Sequence, residues 1–580
     1  MQFSSAILIA AIAIIVLAAA SIRLPPRLRL FLAKKPGLAG HFRIARRLAG
    51  LVERYDFDAE QFFCCDGAPR HIADARRSGL AALGERLRNM ASATIAAGES
   101  LAAAVPDVDF VKTYRVPFQF QRLLQQRLSV GLLAEATEGT RVRDLDGNWY
   151  DDVSGSYGVN VLGYDYYKAC IRRAVEAAGD LGPVLGPYHP AIVEVVDRLQ
   201  RISGHDAVSF HMSGTEAVMQ AVRLARFHTG RTHLVMFCGA YHGWWDGVQP
   251  TLGNQRALDD VYLLREACER TLQVISERKD IACVLVNPIQ AMHPNSPAPG
   301  DGMLVDSSRN AHVDRQAYAK WLAALRKACD ANGVVLIFDE VFVGFRLALR
   351  GAQEYFGVSA DMVTYGKTVA GGLPIGVVCG RKDLMKRYSE AHPTRICFAR
   401  GTFNSHPYIV CAMREFLRGL DEPEIQAHYR TLDEVWDRRA QTLNMRLESA
   451  NLPIRVANLV SVWTFVYLRP GRYNWMLQFY LRAQGISLSW IGTGRLIFSH
   501  DYSDDDFERV AAAVVRAAQQ MSADGWWWHA PELTNRSIRR SILREILRAR
   551  MARILPRRSR PRSQAAASDS PAGTTSPSSS

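Results

Sequence analysis

The amino-acid sequence predicts an α/β protein: a large domain on a mainly parallel sheet, a smaller α+β domain, and one N-terminal transmembrane helix. Three observations predict this. Beyond residue 152, and as far as about residue 385, short apolar runs alternate with amphipathic stretches of helical period. That is the pattern of a parallel sheet with helices on both faces. Four of those runs end in polar or aromatic groups. At the other extreme, residues 6–20 (AILIAAIAIIVLAAA) are all apolar.

Taken in order, residues 1–22 read as an anchor. From Phe3 to Ile22 the only polar residues are three serines, and about 20 such residues in a helix span about 30 Å, a bilayer core. Arg23, Arg27, Arg29, Lys34, Lys35, Arg43, Arg46 and Arg47 follow it and no cation precedes it. This predicts a single-pass membrane protein with the catalytic part on the cytoplasmic side. A cleaved signal peptide ending near Ala18-Ala-Ala20 is the alternative, but it would carry its positive charge before the apolar run. Residues 23–117 read as a helical extension, with one or two amphipathic helices over 71–103. Val142–Asp152 contains the Asp-Gly turn of a small hairpin.

Near the other end, eleven arginines and one glutamate lie between Arg536 and Arg562, +10 of the formal net charge of +14. Ile538, Ile542, Ile546, Leu543 and Leu547 recur among them at helical spacing. Residues 522–562 therefore read as a Trp/Arg-rich amphipathic tail. Residues 536–555 would lie on an anionic membrane surface and Trp526–Trp528 at headgroup level. A solvated tail is the alternative, and nucleic acid is not the expected partner. Residues 563–580, rich in Ser, Pro, Ala and Thr, are expected to be disordered. The ten cysteines show no paired spacing, which predicts a reduced compartment, buried thiols and no metal site.

The chemistry is concentrated at strand ends, where open α/β sheets bind ligands. Leu234–Phe237 leads into Cys-Gly-Ala-Tyr-His-Gly (238–243), and Ala282–Val286 into Asn-Pro-Ile-Gln (287–290). Val334–Phe338 leads into Asp339, and Met362–Tyr365 into Gly-Lys367. Lys367 is a lone amine among small residues, and Asp339 a lone carboxylate after a buried strand. Pyridoxal phosphate chemistry needs such a pair, an amine to bind the cofactor and an anion to keep its pyridine nitrogen protonated. A capping aspartate and a solvated lysine are the plainer reading of the same pair. Ser213, Gly214 and Thr215 open a helix with Val218, Ala221, Val222 and Ala225 on one face. Ser213-x-x-Glu216 is a capping box, and such a helix start also favours phosphate.

With these motifs in order, the chain resembles the class III pyridoxal-phosphate-dependent aminotransferases, most of all the glutamate-1-semialdehyde aminomutase branch. The likeness runs from about Phe118 to Met521. It rests on Asp-Leu-Asp-Gly (144–147), Gly-Ser-Tyr-Gly (155–158), Ser-Gly-Thr-Glu-Ala (213–217) and Ala-Tyr-His-Gly (240–243). It continues through Phe338–Arg346, Arg350–Glu354, Gly-Lys-Thr (366–368) and Gly-Thr-Phe-Asn (401–404). The resemblance implies the fold-type-I transferase architecture over 118–521, with a cofactor domain at about 176–414 and a small domain from 118–175 and 415–521. It implies that Lys367 binds pyridoxal 5'-phosphate covalently and shuttles the proton, while Asp339 pairs with the pyridine nitrogen. Val341 and Tyr241 would cover the two ring faces, and His242 would adjoin them. Ser213, Gly214 and Thr215 would bind the phosphate, with Thr402 supplied across a homodimer.

Departures from the family pattern bear on substrate. Asn287-Pro288 stands where Glu-Pro is common, Phe342 where many ω-aminotransferases carry glutamine, and Trp244-Trp245 where smaller polar residues are usual. Ser489–Arg495 is similar to relatives in polyketide and nonribosomal-peptide pathways. Ser156, Tyr157 and Arg495 are the candidate substrate residues. The expected activity is amino transfer from an amine donor to a carbonyl acceptor, with amphiphilic and carrier-bound acceptors among the candidates. The alternatives are a glutamate-1-semialdehyde-type 2,1-aminomutase and an inactive membrane scaffold of the same fold.

Overall fold

The computed structural model describes residues 26–34, 41–131, 133–237, 240–249, 259–288, 314–488 and 495–554. At its centre is a seven-stranded sheet: β1 (Ala207–His211), β2 (His233–Phe237), β3 (Val261–Leu264), β4 (Ile281–Val286), β5 (Val335–Asp339), β6 (Met362–Gly366) and β7 (Gly376–Gly380). The spatial order is β1-β7-β6-β5-β4-β2-β3. Neighbours from β6 to β3 pair parallel, and β7 runs antiparallel to both β6 and β1. The central strands are apolar runs because both faces are covered: all six residues of β4 and all five of β5 are buried.

The covering helices begin and end on legible signals. Helix Gly214–Thr229 is capped by Ser213, turns Ala217, Val218, Ala221, Val222 and Ala225 inward, and stops at left-handed Gly230. Helix Arg315–Asn332 starts where Asp314 accepts from the Ala317 N–H and stops at Gly333. Two small sheets flank the large one. The first joins Ala136–Glu138, Arg141–Arg143 and Trp149–Asp152 to Ile486–Ser487, and the second joins Ile454–Leu459, Val462–Tyr467 and Arg495–Ile497. The Asp-Gly turn forms as expected, with Gly147 at φ +83° and the Asp144 carboxylate accepting from the Asp146 and Asn148 N–H groups.

The chain ends differ from expectation. No helix among the described residues is long and apolar enough to cross a membrane. This corrects the expectation of a transmembrane helix and the single-pass location inferred from it. Residues 3–22 themselves lie outside the described residues, as do 563–580. The basic tail is a helix, Asn535–Ile554, but it docks on the protein. Ile538 and Ile542 are buried, and Glu545 is bonded to Arg472 and to the Tyr55 hydroxyl. Arg550 donates to the Leu51 carbonyl and Arg553 pairs with Glu53. Trp526 is buried with its Nε1 donating to Tyr480, and Trp527 donates to Asn474. Part of the apolar stripe and two of the three tryptophans are thus used inside the protein, while Leu543 and Leu547 stay exposed.

Candidate active site

Parallel pairing brings the ends of β2, β4, β5 and β6 to one edge of the sheet, and the turn out of β1 joins them. Ser213, Gly214, Thr215, Tyr241, His242, Asn287, Asp339, Val341, Phe342 and Lys367 line one cavity of about 150 Å³ there. Asp339 is the last residue of β5 and is buried. Its Oδ2 bonds His242 Nδ1 at 2.7 Å, and its Oδ1 accepts from the Val341 N–H (3.1 Å) and Thr364 Oγ1 (3.3 Å). A carboxylate has about four lone-pair sites, so acceptor capacity is left. His242 is also buried, and its other ring nitrogen, Nε2, has no partner among the described residues.

Lys367 follows β6 directly, at φ +50°, a left-handed conformation that non-glycine residues avoid. Strain of this kind marks positions held for a purpose. The next residue is pinned, because the Thr368 and Tyr167 hydroxyls are hydrogen-bonded. Lys367 Nζ makes no hydrogen bond with the described residues. Burial lowers its pKa; the negative charge of Asp339 opposes this and the positive charge of Arg346 adds to it. Arg346 is fully buried and donates to the Ser461 hydroxyl and the carbonyls of Phe498 and Asn160. It was not singled out from sequence. Burial depresses its pKa to about 10, and its only signal in the sequence was a charge at the end of an otherwise apolar run.

The Ser213 turn is packed tightly. A Cβ on Gly376, the first residue of β7, would lie 2.0 Å from the Ser213 carbonyl oxygen. The Ser213 hydroxyl accepts from the Glu216 N–H, but the Glu216 carboxylate takes the Met212 N–H, so only half of a capping box is present. The N–H groups of Gly214 and Thr215, at the start of the helix, have no intrahelical partner.

The remaining sequence candidates lie elsewhere. Thr402 lines a separate surface cavity with Arg387, Phe398 and Arg400. Ser156 is bonded to the Tyr164 hydroxyl, and both Ser156 and Tyr157 have positive φ. Tyr157 faces a different cavity, beside the Gly155–Gly158 turn. Arg495 starts the outer strand of the second small sheet and is not among the residues lining the Lys367 cavity. Residues 489–494 and Gln290 lie outside the described residues.

Comparison with known proteins is consistent with this geometry. Residues 125–451 match the family model for class-III aminotransferases. A glutamate-1-semialdehyde 2,1-aminomutase of Methanococcus maripaludis is 34% identical over 341 residues, 56% of this chain and 73% of that protein. One from Alkaliphilus oremlandii is 29% identical over 413 residues, 67% of this chain and 91% of that protein. Among solved structures, a transaminase with PLP bound aligns at a TM-score of 0.57 and 27% identity, over 68% of this chain and 92% of that one. A glutamate-1-semialdehyde aminomutase from Pseudomonas aeruginosa PAO1 aligns at 0.60 and 18% identity, over 77% and 99%, a likeness of fold.

Proposed function

This chain belongs to the class III family of pyridoxal-phosphate-dependent aminotransferases, and on that premise we propose that it moves an amino group from a small-molecule amine to a carbonyl acceptor. The observation that carries this is the Lys367 amine, without a hydrogen-bond partner among the described residues, in one cavity with the buried Asp339–His242 pair and an open helix start. Pyridoxal 5'-phosphate fits what that cavity offers. The helix start suits its phosphate, Asp339 has acceptor capacity for a ring N–H, and His242 Nε2 is a buried polar atom awaiting a partner. When bound, the cofactor supplies an electron sink for the carbanion left when an amine loses its α-proton.

The residues divide the remaining work. Lys367 Nζ would hold the cofactor and, when free and neutral, would take the substrate's α-proton. Its lowered pKa enlarges the neutral fraction near neutral pH. Asp339 keeps the ring nitrogen protonated, and the His242 bond fixes the direction of its carboxylate. Ser213, Gly214 and Thr215 bind phosphate. Val341, whose side chain packs against Gly214, and Tyr241 line the same cavity and would hold the cofactor ring between them. Thr402 sits among the exposed side chains of Tyr188, Tyr388, Ile396, Phe398 and Phe403. A homodimer would cover that patch and deliver Thr402 to the partner's phosphate site. Light scattering that returned a monomer mass for the loaded enzyme would remove the dimer.

A second reading is favoured by the names of the relatives: an intramolecular 2,1-aminomutase. Stoichiometry separates the two. Cofactor-loaded enzyme incubated with an amine donor releases the donor's carbonyl product if it is a transferase and none if it is a mutase.

A further inference from the structure

A second cavity, of about 330 Å³, opens beside the Gly155–Gly158 turn and is lined by Arg115, Asp144, Ser154, Tyr157, Arg482 and Ser487 among others. It adjoins the Lys367 cavity through that turn. Tyr157 faces the second cavity, and a Cβ on Gly158 would lie 2.4 Å from the Phe342 ring, which lines the first. Its two arginines lie outside the segment matched to the family model. Arg115 caps helix Pro106–Tyr114, and Arg482 sits on helix Leu477–Ala483. Gln478 ties the two helices by donating to the Arg115 carbonyl at 2.9 Å.

Neither guanidinium forms an ion pair among the described residues. Arg115 makes no side-chain hydrogen bond or ion pair among the described residues, and its Nε is sealed from solvent without a partner. Arg482 lies 3.6 Å from the centroid of the Tyr150 ring and donates to the Gly131 carbonyl. Burial lowers its pKa, outweighing Tyr150 and the Asp144 charge, which both favour its cation. Asp144 is already committed to Tyr150, Asn148 and two backbone N–H groups. Asp107, at the mouth, is exposed and pairs with neither arginine. Burial, and then the charge of Arg482, depress Arg115 to about 10. Two like charges held in one half-buried cavity are costly unless an anion joins them.

We propose that Arg115 and Arg482 form an oxyanion pocket for a carboxylate or phosphate at the far end of the amino donor or acceptor. This rests on the amino-transfer reading for the identity of the ligand's other end. The anion pocket itself is tested separately.

The test uses the full chain loaded with pyridoxal phosphate, so that the Ser213 turn is already occupied. Inorganic phosphate and glutarate are titrated in parallel, with binding read from the rise in Tm. The visible absorbance of the Lys367-bound cofactor is followed in the same samples. The expected result is saturable binding of at least one anion. Arg115→Gln and Arg482→Gln should each weaken it about tenfold or more while leaving the absorbance band intact, and Arg115→Lys should recover part of it. The preferred anion tells a carboxylate terminus from a phosphate one. Absence of saturable binding by either anion, or binding that both Gln variants leave unchanged, overturns the pocket. A missing absorbance band in the wild-type chain would overturn the functional reading instead.

Discussion

The Lys367 cavity and the Arg115–Arg482 cavity meet at the same turn and are built on opposite electrostatic plans. The first sets a carboxylate at its floor and pairs it with an imidazole instead of an arginine. The second collects two guanidiniums that form no ion pair among the described residues. Several buried arginines elsewhere are paired with carboxylates: Arg76 with Asp66, Arg472 with Glu545, and Arg439 with Asp504. Arg346 is an exception, held by the Ser461 hydroxyl and backbone carbonyls. The difference teaches that the two cavities hold charge whose pairing a ligand can complete, while Arg76, Arg472 and Arg439 in the scaffold are paired by the protein itself.

The sharpest break of that comparison is Lys367→Ala. It should abolish the covalent adduct seen by mass spectrometry after borohydride treatment and lower turnover by about 10⁴-fold. Asp339→Asn keeps the shape and removes the charge. Binding of the cofactor should survive while kcat falls about 10²–10³-fold, with KM for the donor changed far less. Equal losses in Asp339→Asn and Lys367→Ala would mean that the carboxylate only holds the fold. Glu545→Gln addresses the paired side of the comparison. It leaves Arg472, 3% exposed at its side chain, without its anion, and should cost about 3 kcal/mol of unfolding free energy in urea. For Glu545, burial favours the protonated acid, but the Arg472 and Tyr55 bonds outweigh it and the pKa is net lowered. Its stabilisation is therefore present above the ordinary carboxylate pKa and lost as pH falls through the lowered one. Wild-type and Glu545→Gln chains should converge in stability on acidification.

How much of this was legible follows from the same contrast. Lys367 and Asp339 were readable because a polar residue closing a buried apolar strand has few other uses, and parallel strands deliver all such ends to one edge. Helix Gly214–Thr229 announced itself through Ser213 and its small-residue face. The anion pocket was not readable. Arg115 and Arg482 stand 367 positions apart on two short helices whose periodicity says nothing of what they meet. Arg346 was hidden for a related reason, since its partners are mostly backbone carbonyls that carry no side-chain signature. The tail shows the limit most clearly. Its apolar stripe was visible, but periodicity identifies a face that must be covered without naming the cover. Glu545, alone among eleven arginines, was the available hint that the cover is the protein.

The smallest expected effect concerns the pH at which Lys367 becomes reactive. Burial lowers its pKa, so the neutral amine should attack an aldehyde at pH values where a solvated lysine is still protonated. The Asp339 charge works against burial by favouring the ammonium form. Removing that charge in Asp339→Asn should therefore shift the pH profile for covalent attachment of pyridoxal phosphate, followed by absorbance, to lower pH. The shift is in rate of attachment with pH, and it is separable from the loss of turnover because attachment needs no amine donor. A profile that stayed in place, or moved to higher pH, would mean that Asp339 and Lys367 do not sense each other across the cavity. The carboxylate would then act on the cofactor alone, and the two cavities would differ in charge without differing in how charge tunes their reactive groups.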